Sequence, residues 1–223
     1  RLFIDLYKKL KEQDSLTSNK IMTDTIKIIA SDLEFVGIHA EENLITEIVD
    51  FYQTEKEKYE TKFKKRFKLS EEFNLNSSKQ MQKLLYEDLS LPVLVRTKSD
   101  NPSCNEEAIR KLASKRPALR TLVDYRTVKG HIEKLKGYQR AIGVDGRVHS
   151  SFNIFSPDSS RLMSSKPNIQ NVPRQSRIKE IFVPRPGYSY VYYDYSQIEF
   201  RIWLHLSNDS KGIDFVNKGR DIH

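Results

Sequence analysis

Two carboxylates stand five residues apart in the segment VYYDYSQIEFR, residues 191–201. Asp194 follows a run of aromatic and β-branched residues that is typical of a buried strand, and Glu199 lies in a helical pattern that begins at Gln197. A carboxylate at the end of a strand can bind a divalent cation, because the sheet holds it in place. Two other readings stay open: Asp194 caps the following helix, or Ser196 does so with Glu199 completing a capping box.

A second candidate site is the polar segment SSRLMSSKPNIQNVPRQSR, residues 159–177. Its side chains with hydrogen-bonding or charged ends are Arg161, Lys166, Asn168, Gln170, Asn171, Arg174 and Arg177. Amide side chains can contact base edges in a minor groove, while Arg and Lys contact phosphates. A polar surface loop has the same composition, so the segment by itself leaves both interpretations open.

Arg126 and Lys129 are three residues apart in a predicted helix and therefore share a face. Further cations of this helix are Arg120, Lys134 and Lys136. Together they could line a phosphate backbone. Solvated charges on a helix surface give the same pattern.

Helices are predicted for most of the first 136 residues. Residues 1–30 carry two short helical patterns, and Gly37 with His39 marks the break before a long helix. The predicted buried stripe of that helix is Leu44, Ile48, Phe51, Glu55, Tyr59 and Phe63. Beyond it, lysines predict a projecting basic tip. Further helix starts are predicted at Ser77 with Gln80, at Ser103 with Glu106, and at Pro117.

After Gly137 three segments have strand composition: GRVHSSFNIF, IKEIFVPR and YSYVYYDYS. A helix is predicted again from Gln197. The predicted fold class is therefore α+β, with a helical arm followed by the first strands and helix of a second subdomain. We place the boundary near residue 136.

The composition indicates a polyanionic partner, since the 223 residues carry a net charge of +8 and the pI is near 9.4. The single cysteine, Cys104, excludes an intramolecular disulfide and fits a reducing compartment. No Cys and His residues stand at zinc-binding spacing. The apolar runs are far shorter than the roughly 20 residues that span a bilayer. These features predict a soluble intracellular chain with no membrane partner.

The order of three motifs resembles the palm of family A DNA polymerases, the bacterial DNA polymerase I type. DYSQIEFR is preceded by SSRLMSSKPNIQNVP and followed by DIH. The likeness extends back through GRVHSSFN, VDYRTVK, LPVLVRTKSDNPS and DLEFVGIHAEENL, and it covers residues 20–223. It implies a template-directed DNA polymerase with a thumb at 31–136 and the N-terminal part of a palm at 137–223. Residues 1–30 would then be a linker or the remnant of a preceding exonuclease-like domain.

The resemblance also implies roles near the reacting atoms. Asp194 would ligate two catalytic Mg²⁺ ions, with the backbone carbonyl of Tyr195 as a further ligand. Glu199 would crowd the sugar 2′ position and so help to exclude ribonucleotides. His223 would approach the incoming deoxynucleoside triphosphate.

Other matching residues would contact primer–template DNA. Arg161 corresponds to an arginine that reaches the minor groove at the primer end, although Ser160 replaces the usual preceding glycine. Gln170 and Asn171 correspond to polar residues that contact the duplex. Arg126 and Lys129 fall in the thumb helix that grips the backbone.

The resemblance further implies an incomplete active site, because the sequence ends at His223, before the family's fingers helix and second catalytic carboxylate. A lone aspartate cannot hold two Mg²⁺ ions. We therefore expect this chain by itself, a monomer, to bind primer–template DNA without polymerising. The alternative is a non-catalytic duplex DNA-binding module derived from a polymerase.

Overall fold

The computed structural model describes residues 2–13, 15–153 and 161–220, and the chain divides into two compact units, Arg1–Val183 and Pro184–His223. The first unit contains α1 (Leu2–Glu12), α2 (Leu16–Val36), β1 (Ile38–His39), α3 (Glu42–Phe67), α4 (Ser78–Gln82), α5 (Glu106–Lys115), α6 (Arg120–Arg140), β2 (Arg147–Val148), β3 (Ser151–Asn153) and β4 (Met163–Ser165). The second contains α7 (Ile198–Leu206) and α8 (Ser210–Asn217). The predicted α+β class is confirmed.

The helices α3 and α6 pack against each other along their lengths and run antiparallel. The first half of α3 buries Ile45, Ile48 and Tyr52 against the second half of α6. The α6 residues of this first core are Val128, Ile132, Leu135 and Tyr138. Of the predicted stripe, Ile48 and Phe63 are fully buried, whereas Phe51 is 45% exposed and its neighbour Tyr52 is buried instead. Apolar spacing alone did not determine which side of the helix meets α6.

A second core lies at the other end of the same helix pair. Phe63 of α3 is fully buried there, together with residues of the segment 75–85, of α5 and of the start of α6. Lys64 is also buried, and its ammonium donates to the Glu71 carbonyl at 2.7 Å and pairs with Glu60 at 2.9 Å. The predicted projecting tip is therefore wrong: the end of α3 is packed, and only part of its basic surface faces solvent.

Two short antiparallel pairs form the strands. β1 pairs with β2, so that Ile38 faces Val148, and β3 pairs with β4, so that Phe152 faces Ser164. The predicted break at Gly37 is confirmed, since this residue ends α2 with φ +60° and donates its N–H to the Leu33 carbonyl. Because β1 precedes residue 136 and β2 follows it, the first unit spans the boundary that we predicted there, and that boundary stays a prediction.

Two of the three predicted strand segments are not strands. A 3₁₀ turn, Arg177–Ile181, covers the first half of IKEIFVPR and places Ile178 and Ile181 on one side, both fully buried. YSYVYYDYS forms no strand and has no pairing strand within the described residues. Without a neighbour to receive its N–H and C=O groups, this segment remains solvent-exposed, and Tyr193 is 87% exposed.

The predicted helix starts were partly right. Ser77 caps α4 by accepting the N–H of Gln80 at 3.4 Å, and Pro117 opens a 3₁₀ turn that leads into α6. Asn105, not Ser103, caps α5, since its side chain accepts the N–H of Ala108 at 2.8 Å. No helix in the described part of the chain combines the length and apolar character needed to cross a bilayer.

Candidate nucleic-acid interface and acidic segment

The polar loop, residues 161–171, is organised by one amide side chain. Asn168 Oδ1 accepts the backbone N–H groups of Gln170 and Asn171, both at 3.1 Å, and the hydroxyl of Ser164 at 3.3 Å. The Ser164 hydroxyl in turn accepts the N–H of Ile169 at 3.1 Å. These bonds satisfy the loop's backbone donors locally, so the loop has a defined shape despite its polar composition.

Gln170 contributes to the same framework. Its Oε1 accepts the N–H of Ser164 at 2.6 Å, and its Nε2 donates to the Leu162 carbonyl at 3.0 Å. One donor and one acceptor of this amide are thereby used within the loop. The structure therefore gives Gln170 a positioning role, and its contact with DNA stays a prediction.

The polar loop is attached to α6. Tyr138 is fully buried, and its hydroxyl donates to the Asn168 carbonyl at 2.9 Å; burial raises the pKa of this phenol to about 12, so it remains a donor at neutral pH. The ammonium of Lys134 donates to the Asn171 carbonyl. Asn171 itself is exposed. α6 thus presents this exposed amide at a fixed position.

Arg126 and Lys129 are placed differently from each other. The Arg126 guanidinium is partly buried and donates to the Cys104 carbonyl at 2.5 Å, and burial lowers its pKa from the ordinary value. It ties α6 to the turn before α5. Lys129 is more exposed and lies 3.5 Å from Glu133 on the next turn. Of the two, Lys129 is the better placed for a phosphate.

Other predicted contacts lie at or beyond the edge of the described residues. Arg161 is exposed and follows directly after 154–160, which the structure does not describe, so Ser160 is outside it. His223 also lies outside the described residues. Their assigned roles stay predictions.

Asp194 lies in the second unit, within the acidic segment, residues 194–199. Both Asp194 and the following Tyr195 are exposed. Among the described residues, no hydrogen bond or ion pair engages the Asp194 carboxylate. The prediction that Asp194 ends a strand is wrong for the described residues: Asp194 lies in an exposed segment without a paired strand.

The start of α7 excludes both capping alternatives. The helix is preceded by Gln197 in the left-handed conformation, φ 53°, and no side chain caps it. Asp194 and Ser196 are therefore not caps here. Glu199 is exposed in the first turn, where a carboxylate is favoured by the helix dipole.

Arg201 fixes the backbone of the acidic segment. Its Nε donates to the Ser196 carbonyl at 2.9 Å, and its two terminal nitrogens donate to Asn217 Oδ1 at 3.2 Å and to the Val216 carbonyl at 3.0 Å. This side chain links the acidic segment to both helices of its unit. Sequence reasoning missed it, as it missed Tyr138; the fork-like donor geometry of arginine beside the carboxylate motif was the available signal.

Asp194 does not form a metal centre with its neighbours. Within the described chain, no three His, Cys, Asp or Glu side chains converge as a cation site. Mg²⁺ takes an octahedral set of oxygen ligands. Asp194 and the Tyr195 carbonyl could provide only part of that set, so the described residues do not fit a complete magnesium site.

Comparisons with known proteins agree on one family. The family model of DNA polymerase family A matches residues 42–223. DNA polymerase I of Mycobacterium tuberculosis is 36% identical over 162 residues, 70% of this chain and 18% of that protein. DNA polymerase I of Mycobacterium leprae is 31% identical over 238 residues, and that of Lactococcus lactis 33% over 218. The leprae alignment covers 100% of this chain and 26% of the relative, and the lactis alignment 95% and 24%.

A solved structure shows the same fold. The POL domain of Pol1 from M. smegmatis, in complex with DNA primer-template and dNTP, superposes with a TM-score of 0.84 at 28% identity. The superposition covers 97% of this chain and 39% of that chain. The chain spans about a quarter or less of the length of the three DNA polymerase I relatives named above. The family match over most of its residues places it plainly: this chain belongs to DNA polymerase family A.

Proposed function

We propose that this chain is the thumb and the N-terminal part of the palm of a template-directed DNA polymerase, and that it binds primer–template DNA. In this proposal residues 31–136 are the thumb and 137–223 the partial palm. The observation that carries it is the fold-level match along 97% of the chain to a polymerase domain in complex with primer-template and dNTP.

The interface that we propose for DNA combines α6 with the polar loop. Lys129 faces solvent on α6, and Asn171 is exposed where Lys134 holds the loop against that helix. Exposed cations suit phosphates, and exposed amides suit base edges. Gln170 and Asn168 support this surface by holding the loop, and Arg161 is its proposed minor-groove contact.

Asp194 is proposed as a side-chain metal ligand for catalysis, with the Tyr195 carbonyl beside it. Its exposed carboxylate, which caps no helix, supports this role. Nucleotidyl transfer with two Mg²⁺ ions needs further ligands, and Glu199 and His223 are proposed to contact the incoming deoxynucleoside triphosphate. We therefore expect no synthesis by the 223-residue chain alone.

DNA binding is tested by the anisotropy of a fluorescent primer–template at several salt concentrations. Phosphate contacts release counterions, so the logarithm of the association constant should fall linearly with the logarithm of the salt concentration, by about 0.9 per phosphate contacted. Salt-independent binding, or none at low salt, would contradict the proposal. The non-catalytic alternative makes the same prediction for binding.

Catalysis is tested by primer extension with Mg²⁺ and all four deoxynucleoside triphosphates. Template-dependent synthesis by the isolated chain would contradict the proposal that its metal site is incomplete. Asp194→Asn should bind primer–template at least as tightly as the wild type, because it removes repulsion from phosphates. Asp5→Asn in α1 changes the net charge equally and is the control. If Asp194→Asn bound primer–template more weakly than wild type and Asp5→Asn did not, the proposal that the Asp194 carboxylate lies near the phosphates would be contradicted.

A further inference from the structure

The end of the α3–α6 pair contains a cleft that the proposed interface does not use. Its volume is about 610 Å³. The α3 side is lined by Lys62, Lys65 and Arg66, and the α6 side by Pro117, Ala118 and Thr121. Three of these six described lining residues are cations, and none is a carboxylate.

These cations are not neutralised by the described residues. Some other helical cations do pair with a carboxylate one turn away, as Lys111 does with Glu107 at 2.6 Å and Lys218 with Asp214 at 2.5 Å. Within the part of the chain that the structure describes, no ion pair or hydrogen bond engages the side chains of Lys62, Lys65 or Arg66. Three like charges at spacings of three and four residues repel one another on a helix.

The helix dipole accounts for only part of this arrangement. The carbonyl end of α3 favours cations in its last turn, which stabilises Lys65 and Arg66 without any ligand. It does not account for Lys62, which lies before the last turn, nor for the cleft that all three residues line. A further cation, Arg116, lies over the Phe67 ring at 5.8 Å and adds to the positive charge at the end of α3.

The α6 side of the cleft is also suited to an anion. Thr121 lies in the first turn of α6, where the helix dipole is positive, and its hydroxyl is a hydrogen-bond donor. Lys129 lies eight residues further along α6, which is about 12 Å along the axis. A nucleic-acid backbone that contacts Lys129 therefore needs to extend by only a few phosphates to reach the cleft.

We infer that this cleft binds a backbone phosphate of DNA, through Lys62, Lys65 and Arg66 with Thr121. The inference rests on the proposed function, since it extends the DNA contact from α6 to the end of α3. It adds a contact that the motifs of the polar loop and the acidic segment do not include.

The test compares two variants that each remove three positive charges. Lys62→Gln/Lys65→Gln/Arg66→Gln removes the cations of the cleft, whereas Lys8→Gln/Lys9→Gln/Lys11→Gln removes exposed lysines of α1. Primer–template binding is followed by anisotropy from about 50 to 200 mM salt. The slope of the logarithm of the association constant against the logarithm of the salt concentration should be shallower than that of wild type by about 2–3 for the cleft variant. For the control variant, this slope should change by less than about 1. Lys62→Arg/Lys65→Arg/Arg66→Lys keeps the charges and should keep the slope.

The outcomes separate this inference from the proposed function. If wild type binds and the two charge-removing variants have equal slopes, the cleft assignment is overturned and the proposed function stands. If wild type binds no primer–template, both fall. A second arm titrates inorganic pyrophosphate and follows the amide signals of Lys62, Lys65 and Thr121. Saturable pyrophosphate binding without DNA binding would assign the cleft to free oligophosphates and overturn the DNA assignment.

Discussion

At the scale of single residues, the acidic segment shows how the backbone near an exposed carboxylate is held while the carboxylate itself makes no hydrogen bond to the described residues. Arg201, a residue of α7, donates to the Ser196 carbonyl and to Asn217 and Val216 of α8, so the backbone near Asp194 is held by a side chain that does not touch the carboxylate. Because α7 begins without a side-chain cap, Asp194 is left available. That is the property that a metal ligand needs.

His149 is a residue whose protonation should affect stability. Its Nδ1 lies 2.7 Å from the Glu34 carbonyl and its Nε2 3.2 Å from Asp145 Oδ2. Because both partners are acceptors, the doubly protonated ring is favoured. The hydrogen bond to the Glu34 carbonyl, and after it the one to Asp145, raises the pKa of His149 above 6.5. Desolvation and the charge of Arg147 oppose this rise but are smaller.

A raised pKa in the folded state gives stability that is complete below the unfolded value of 6.5 and is lost as the pH rises through the folded value. Wild type should therefore exceed His149→Gln in free energy of unfolding by more at pH 5.5 than at pH 8. Urea unfolding at both pH values measures this. An equal difference at the two values would show that His149 acts through packing alone.

At the scale of elements, the end of α2 depends on a glycine. Gly37 has φ +60°, and a Cβ there would lie 2.9 Å from the His149 ring and 2.9 Å from the Val148 carbonyl. Gly37→Ala should lower the free energy of unfolding by about 2–3 kcal/mol, because it adds left-handed strain to a steric clash.

A second glycine is the matched control. Gly130 lies inside α6, and an alanine methyl group there would meet no described atom within 4 Å beyond its own turn of helix. Gly130→Ala should therefore raise stability by about 0.8–1 kcal/mol through helix propensity. Thermal or urea unfolding of both variants checks the pair. Equal effects of the two substitutions would contradict the strained turn at Gly37.

The end of α3 should be as important for folding as its beginning. Phe63 is fully buried in the second core, so Phe63→Ala should cost about 3–5 kcal/mol. Phe35 in α2 is 86% exposed, and Phe35→Ala should change stability by less than about 0.5 kcal/mol. If Phe63→Ala were as mild as Phe35→Ala in urea unfolding, the end of α3 would project from the fold, as the lysine-rich sequence first indicated.

At the scale of the whole molecule, the two units differ in how their backbones are satisfied. α3 and α6 form a packed pair with two cores, whereas the amides of residues 191–195 donate no backbone hydrogen bond within the described chain. In hydrogen exchange, these five amides should be at least about 1,000-fold faster than those of Ile48 and Leu135, relative to their intrinsic rates.

The contrary result would also be informative. Slow exchange at 191–195, comparable to that of α3, would show that this segment pairs with another strand in solution. Exchange at increasing protein concentration would then identify a second copy of this chain as the partner. Concentration-independent protection would place the partner within the chain itself.

Much of the site could be predicted from the sequence because local chemistry determines it. The motif around Asp194, the helix after Gln197, the break at Gly37 and the turn that Pro117 opens before α6 all depend on neighbours in the chain. The family follows from the order of such motifs. The net charge likewise indicates a polyanionic partner without any knowledge of the fold.

Only the tertiary structure decided which groups are free to act. Gln170 and Arg126 belong to predicted contacts, yet Gln170 donates to the Leu162 carbonyl of its own loop and Arg126 to the Cys104 carbonyl before α5. The segment before Asp194 has the composition of a strand but no partner strand in the described chain. Composition and spacing specify what a residue can do locally, whereas burial, strand pairing and long-range hydrogen bonds depend on residues far away in the chain. For that reason the sequence determined the family and its motifs, whereas tertiary packing and long-range hydrogen bonds determined which cations and amides face solvent.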